Sequence, residues 1–283
     1  MTNHSAAVTG PLLRVLRASR RRLVAFGAAV IGLYGALLGA LWWGQERLLF
    51  QPDRLPANHR FDFGADVHER FIDVPGARLH ALHLLRPAAR GLVFYLHGNA
   101  GNLQGWFADL DFYRQAGFDL FMLDYRGYGK SSGRIENEAQ LHADVRAAWD
   151  AIAPSYASKK RVLLGRSLGT ALAARLALAV QPDLTVLVAS YTSMGALAAE
   201  YYPWVPTRTL RYPLATDTDV TQLRTPLLLL HGARDTLIAP SHSEALRQRN
   251  PAARLHVVQG AGHNDLQAFD DYHAVLRAAL DAL

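Results

Sequence analysis

Short apolar runs separated by amphipathic stretches constrain this chain more than any other feature. The runs fall at residues 92–96, 120–124, 162–165, 185–190, 227–230 and 255–258. Several are continuous rather than alternating, the pattern of parallel strands buried on both faces. Residues 71–74 and 79–84, joined through Pro75-Gly76, read as a leading hairpin. Between the runs lie helical stretches. Leu141, Val145, Trp149 and Ile152 share one helical face, as do Phe269, Tyr272, Leu276 and Leu280. A hairpin followed by alternating strand and helix predicts an α/β domain, residues 70–283, built on one doubly wound, mostly parallel eight-stranded sheet. One excursion breaks the alternation. It contains EYYPWVPTRTLRYP, whose three prolines oppose a long helix, so residues 192–216 are expected to form a short cap. The alternative is a plain structural excursion.

Ahead of that domain, residues 23–43 run LVAFGAAVIGLYGALLGALWW, 21 positions without a charge. As a helix this spans about 31 Å, matching a bilayer core of about 30 Å. Trp42 and Trp43 stand where an aromatic belt belongs. A cleaved signal peptide is the rival reading. The run exceeds the usual apolar length, and Leu38-Gly39-Ala40 is only a loose approach to a cleavage site. An uncleaved transmembrane anchor is therefore expected, between a basic tail at 1–22 and a proline-containing connector at 44–69. The alternative is a domain secreted after cleavage. Arg14, Arg17, Arg20, Arg21 and Arg22 precede the run with no acid among them. Positive charge is retained in the cytosol, which puts the tail inside and the α/β domain outside the inner membrane. The same five arginines account for most of the formal charge of +6. The high basicity thus belongs to a tail, and with no nucleic-acid motif present no nucleic-acid partner is expected. The chain has no cysteine, which excludes disulfides, thiolate catalysis and cysteine-ligated zinc.

The chemistry centres on VLLGRSLGTALAARLAL. Gly165-Arg166-Ser167-Leu168-Gly169 is a G-x-S-x-G match. By chance it would occur in roughly one chain in ten of this length, but here it leaves an apolar run and opens an Ala/Leu helix, the strand–turn–helix setting the motif requires. A sharp turn exposes the hydroxyl, small neighbours let strand and helix approach, and the helix N-terminus offers unpaired N–H groups. A serine needs a base. Of 12 histidines, His263 stands in the glycine-rich QGAGHND, after the last apolar run and before the last helix. The base needs an acid. Asp235, in HGARDTLIAP after the run LLLL, is the candidate, whereas Asp265, Asp270 and Asp271 are placed to cap the final helix. The order Ser167, Asp235, His263 is the nucleophile–acid–base order of one fold. Residues 95–102, YLHGNAGN, leave another strand without a phosphate-loop pattern. In a Ser–His–Asp enzyme such a loop completes the oxyanion hole, which assigns the backbone N–H groups of Asn99 and Leu168. His80 and His83 lie an odd distance apart on a strand, hence on opposite faces, and make no metal pair. No metal or cofactor is expected.

These motifs together, HGNAGN, DYRGYGKSSG, GRSLG, HGARD and GAGHND, resemble the α/β-hydrolase superfamily from about residue 70 to the end. With the N-terminal anchor, the chain is similar to the membrane-anchored branch that includes α/β-hydrolase domain-containing protein thirteen and bacterial relatives. The resemblance implies a serine hydrolase in which DYRGYG is a structural turn beside the site. Because the nucleophile is serine, it argues against the dehalogenase and epoxide-hydrolase members, which use aspartate. Acyl-ester hydrolysis is the leading expectation, on a small-molecule or lipid ester held near the membrane. A thioesterase or peptidase with the same triad is the alternative. From another class, the rival is a non-catalytic binding or scaffold protein on the same fold. The role of Arg166 is left open by the sequence.

Overall fold

The computed structural model describes residues 9–283, so the first eight residues of the expected basic tail lie outside the described residues. Two units are distinguished, Met1–Gln45 and Glu46–Leu283. Among the described residues the first consists of helix α1, Thr9–Leu49, up to Gln45, and the last four residues of that helix belong to the second unit. The sequence explains its length, because no proline falls between Pro11 and Pro52. From Arg14 to Leu49 it is long and apolar enough to cross a membrane. Its apolar side chains are unburied, Leu23, Ile31 and Leu33 being 71–74% exposed.

The second unit is a three-layer α/β domain. It opens with strands β1 (Val67–Val74) and β2 (Ala77–Leu84), followed by β3 (Gly91–Leu96), α2 (Leu103–Trp106), α3 (Leu110–Ala116) and β4 (Phe118–Leu123). Then come α4 (Glu138–Ile152), β5 (Lys160–Arg166), α5 (Gly169–Val180), β6 (Leu184–Val188), α6 (Met194–Tyr201) and α7 (Thr216–Gln222). The last elements are β7 (Leu227–Gly232), α8 (Ser241–Arg249), β8 (Arg254–Val258) and α9 (Asp270–Asp281). The eight strands form one sheet in the order β1-β2-β4-β3-β5-β6-β7-β8. The β1/β2 hairpin and the β2/β4 contact are antiparallel, and the remaining pairings are parallel.

Side chains alternate across the sheet, so neighbours on one strand enter different cores. Phe94, Leu163 and Trp149 belong to one apolar cluster, and Val93, Val162 and Leu164 to the other. In α4 the expected face is buried through Leu141, Val145 and Trp149, and Asn137 caps its N-terminus through the Gln140 N–H. Parallel register then sets the site. Leu96 pairs with Gly165, Arg166 with Val188, Val188 with Leu230, and Gly232 with Val258. The carboxyl ends of β3, β5, β7 and β8 therefore lie along one edge of the sheet.

Two segments depart from regular layering. Between β6 and β7 the chain makes α6, a 3-10 turn at Thr207–Thr209, and α7. α6 buries none of its residues fully, and Tyr202 and Trp204 beyond it are 57% and 48% exposed. The stretch following α1 is extended and sewn to the sheet edge. Pro52 bridges Gly101, and Arg54 bridges Gly129.

Candidate active site

Ser167 is the first residue beyond β5, in the left-handed region at φ 50°. A serine is strained there, and it is held on both sides. Its N–H donates to the Val188 carbonyl at 2.9 Å, and its own carbonyl accepts the Thr170 hydroxyl at 2.7 Å. The flanking glycines permit the turn by close approach. A Cβ on Gly169 would strike the Leu96 carbonyl, and one on Gly165 the Gly169 carbonyl. Strand β5, helix α5 and the end of β3 can thus pack together only without those side chains.

His263 stands on the loop after β8. Its Nε2 lies 3.1 Å from the Ser167 hydroxyl, and its Nδ1 lies 2.7 Å from an Asp235 carboxylate oxygen. The loops carrying the acid and the histidine are joined by backbone, with the Arg234 N–H donating to Ala261 O at 2.7 Å. Two of the three alternative acids are engaged elsewhere. Asp265 accepts the Gly262 N–H at 2.6 Å and Asp271 accepts from His256 at 2.7 Å. Asp235 is buried, and burial alone would raise its pKa. Hydrogen bonds from His231, His263 and the Ile238 N–H outweigh that and hold the carboxyl well below its ordinary value. The Leu237 and Ile238 N–H groups reach one oxygen at 2.9 and 2.8 Å, leaving the other for the histidines. His231 is a partner the sequence reading missed, although its position four residues before Asp235 in HGARD was a signal.

The loop after β3 lies beside the serine. A Cβ built on Gly98 would sit 3.4 Å from Ser167 Cβ and 2.8 Å from the Trp106 ring. The Asn99 side chain anchors this loop. Its amide donates to Leu49 O at 2.6 Å, and its oxygen accepts the Gln51 N–H at 3.0 Å and the Tyr128 hydroxyl at 2.9 Å. Tyr128 belongs to DYRGYG, which thereby braces the loop. Among the described residues, the backbone N–H groups of Asn99 and Leu168 have no acceptor. Ser167, Asp235 and His263 are thus brought together in one hydrogen-bonded chain, with two free N–H groups on loops beside it. His80 and His83 have other partners. The first lies between Glu69 and Asp124 at 3.0 and 3.3 Å, and the second contacts the Tyr156 hydroxyl at 2.9 Å. No group of side chains able to hold a metal ion occurs among the described residues.

A cleft of about 540 Å³ is lined by Tyr95, Trp106 and Asp109 and by Arg166 and Asn264, the sequence neighbours of Ser167 and His263. A smaller cleft of about 400 Å³, beside Phe61 and His68, lies by β1. Neither cleft was foreseen in the sequence.

Comparison with known proteins agrees with this architecture. Residues 87–214 match the family model described as serine aminopeptidase, S33. The chain is similar to an uncharacterised protein of Mycobacterium tuberculosis (strain CDC 1551 / Oshkosh), 31% identical over 268 residues, covering 90% of this chain and 92% of that one. It is also similar to human alpha/beta hydrolase domain-containing protein 17B, 31% identical over 194 residues, 66% of this chain and 65% of the relative. Among solved structures, the Pyrococcus furiosus esterase Pf2001 superposes with a TM-score of 0.64 at 20% identity, covering 83% of this chain and 97% of the esterase. A soluble variant of the Saccharomyces cerevisiae monoglyceride lipase gives 0.63 at 15% identity, covering 80% and 98%. At such identities the likeness concerns the fold. Sheet order, serine turn and relatives together define a hydrolase. The chain belongs to the α/β-hydrolase superfamily.

Proposed function

We propose that this hydrolase is a membrane-anchored serine esterase in which Ser167 is the nucleophile, His263 the base and Asp235 the acid that orients it. The observation that carries the reading is the chain Ser167 Oγ–His263 Nε2–Asp235, at 3.1 and 2.7 Å, starting from a serine in a strained turn. His263 removes the hydroxyl proton as Oγ attacks the ester carbonyl. The resulting oxyanion is stabilised by the N–H groups of Asn99 and Leu168. His263 then protonates the departing alcohol, leaving acyl-Ser167. Water, deprotonated by His263, releases the carboxylic acid. Asp235, held ionised, fixes the imidazole tautomer and stabilises its charged form. Residues 23–43 form the anchor, the basic residues before them stay in the cytosol, and residues 70–283 act outside the membrane. A catalytic unit tethered at a bilayer is suited to lipid or long-acyl esters.

A fluorophosphonate probe applied to membrane fractions tests the nucleophile. Labelling of the wild type and not of Ser167→Ala is expected; an unlabelled, folded wild type overturns the reading in favour of a binding or scaffold protein. Esters of rising acyl length, with matched thioesters and aminoacyl amides, then define the substrate. A preference for short acyl chains counts against lipid, and faster cleavage of thioesters or amides redirects the assignment. For topology, a reporter fused at the C-terminus and active only in the cytosol must be silent.

A further inference from the structure

Arg166 precedes the nucleophile, yet acyl transfer makes no use of its charge. Its side chain is buried, the residue being 4% exposed. One guanidinium nitrogen donates to His263 O at 2.9 Å, and the group lies 5.3 Å from the Trp106 ring centroid. Its Nε is buried without an acceptor, and no carboxylate among the described residues reaches ion-pair distance. A buried cation left without a counter-charge is costly, so what surrounds it matters.

Arg166 lines the 540 Å³ cleft together with Tyr95, Trp106, Asp109, Tyr113 and Tyr272. That volume suits a small ligand group. The three tyrosines are 3–5% exposed, and none of their hydroxyls has a partner among the described residues. Burial pushes the Tyr95 phenol up to about 12 and raises Tyr113 and Tyr272 as well, so all three remain neutral donors. The charge of Arg166 acts on each of them and on Asp109. Trp106 is the wall shared with the catalytic centre, since its ring packs at Gly98 beside Ser167 and also faces the guanidinium.

The cleft also contains two acids, both exposed. Asp109 stands at the start of α3 with no side-chain capping bond, and Asp53 accepts the Asn102 amide at 3.2 Å. Solvent weakens their fields far more than that of the buried guanidinium. The buried cation therefore decides what the cleft accepts, and the two acids oppose it.

We propose that this cleft is a subsite for an anionic oxygen group, a carboxylate or a phosphate, carried by the ester substrate. Arg166 supplies the charge partner and the three phenols supply neutral hydrogen bonds. The inference deepens the serine-esterase reading and rests on it. Two substrate pairs locate the group on the acyl or the alcohol side. On the acyl side, p-nitrophenyl butyrate is compared with p-nitrophenyl hydrogen succinate. On the alcohol side, monobutyrylglycerol is compared with its phosphate monoester.

Full-length protein in detergent should prefer the anionic member of one pair by about tenfold in kcat/KM, mainly through KM. Arg166→Gln should erase that preference and Arg166→Lys should keep part of it, because lysine retains charge without the fork. Asp109→Asn should enlarge the preference, the opposite sign to Arg166→Gln and a result that a poorly folded variant cannot mimic. The proposal is overturned if the wild type shows no charge preference in either pair. It is equally overturned if Arg166→Gln slows neutral and anionic members alike, which would leave Arg166 only bracing the His263 loop. Loss of all turnover in the wild type, with no probe labelling at Ser167, removes the esterase reading and this inference together. Neutral-ester turnover without charge preference removes this inference alone.

Discussion

The two flanks of Ser167 differ in how their polar groups are satisfied. On the His263 side every group has a partner, because both Asp235 oxygens are engaged by two backbone N–H groups and a ring nitrogen. On the Trp106 side the Asn99 and Leu168 N–H groups, the Arg166 Nε and three phenol hydroxyls have none among the described residues. A satisfied network is preorganised and holds charge without rearrangement. Unsatisfied donors gathered in one place are costly until something accepts from them. In the proposed mechanism the first flank moves a proton, and in the proposed subsite the second receives oxygen atoms.

Breaking the satisfied flank should have the larger consequence. Ser167→Ala removes the atom on which the chain ends, and ester turnover should fall by about a millionfold, toward the residual rate that binding alone provides. Burst and steady-state assays with a chromogenic ester measure it. A loss of only a few-fold would show that another group is the nucleophile. Asp235→Asn should come next, with kcat lower by about 10⁴-fold and little change in KM, because the amide presents the wrong partner to His263 Nδ1. If Asp265 or Asp271 were the true acid, Asp235→Asn would be nearly silent.

What the sequence made legible follows the same division. Ser167, Asp235 and His263 each sit on a loop after an apolar strand, and each loop has a local glycine pattern, so their signals lie within a few residues. The parallel runs were legible because burial on both faces leaves nearly unbroken Val and Leu. Strand β1 was read too short, since it is an edge strand whose early residues are largely exposed and offer little periodicity. The unsatisfied flank was not legible at all. Tyr95 comes from β3, Trp106 from α2, Tyr113 from α3, Arg166 from β5 and Tyr272 from α9, and only the folded sheet brings them together. The stitching of residues 51–54 to the loops after β3 and β4 was equally invisible, because isolated bridges have no period.

The tether of that loop gives a smaller, more discriminating effect. Asn99→Ala leaves the Asn99 N–H in place but removes the side-chain links to Leu49, Gln51 and Tyr128. If the unsatisfied flank must be held in position, kcat should fall by about tenfold to a hundredfold, as expected when a catalytic group is displaced slightly. KM for a neutral ester should change little. Probe labelling should slow in parallel, since phosphonylation uses the same donors. An equal loss in thermal stability with unchanged kcat would mean that the loop needs no tether, and would weaken the assignment of its N–H to the oxyanion.

The smallest effect tests the charge on the satisfied flank directly, through stability. Because the folded Asp235 carboxyl is held well below its ordinary value, the unfolded chain takes up that proton first as pH falls. Its stabilising contribution is therefore complete above about pH 4, the ordinary carboxyl value, and is lost as pH falls toward the folded value. Asp119 and Asp219, raised by burial, act with the opposite sign. They are present in both wild type and Asp235→Asn and cancel in the difference, which reports Asp235 together with the histidines it bonds. Between about pH 5 and pH 3, where unfolded histidines are already charged, the stability gap should narrow as acid is added. Urea midpoints at the two pH values measure it. A gap that stays constant or widens would mean that the hydrogen bonds around Asp235 do not favour its charged form, and the flank would lose its claim to be arranged around an ionised acid.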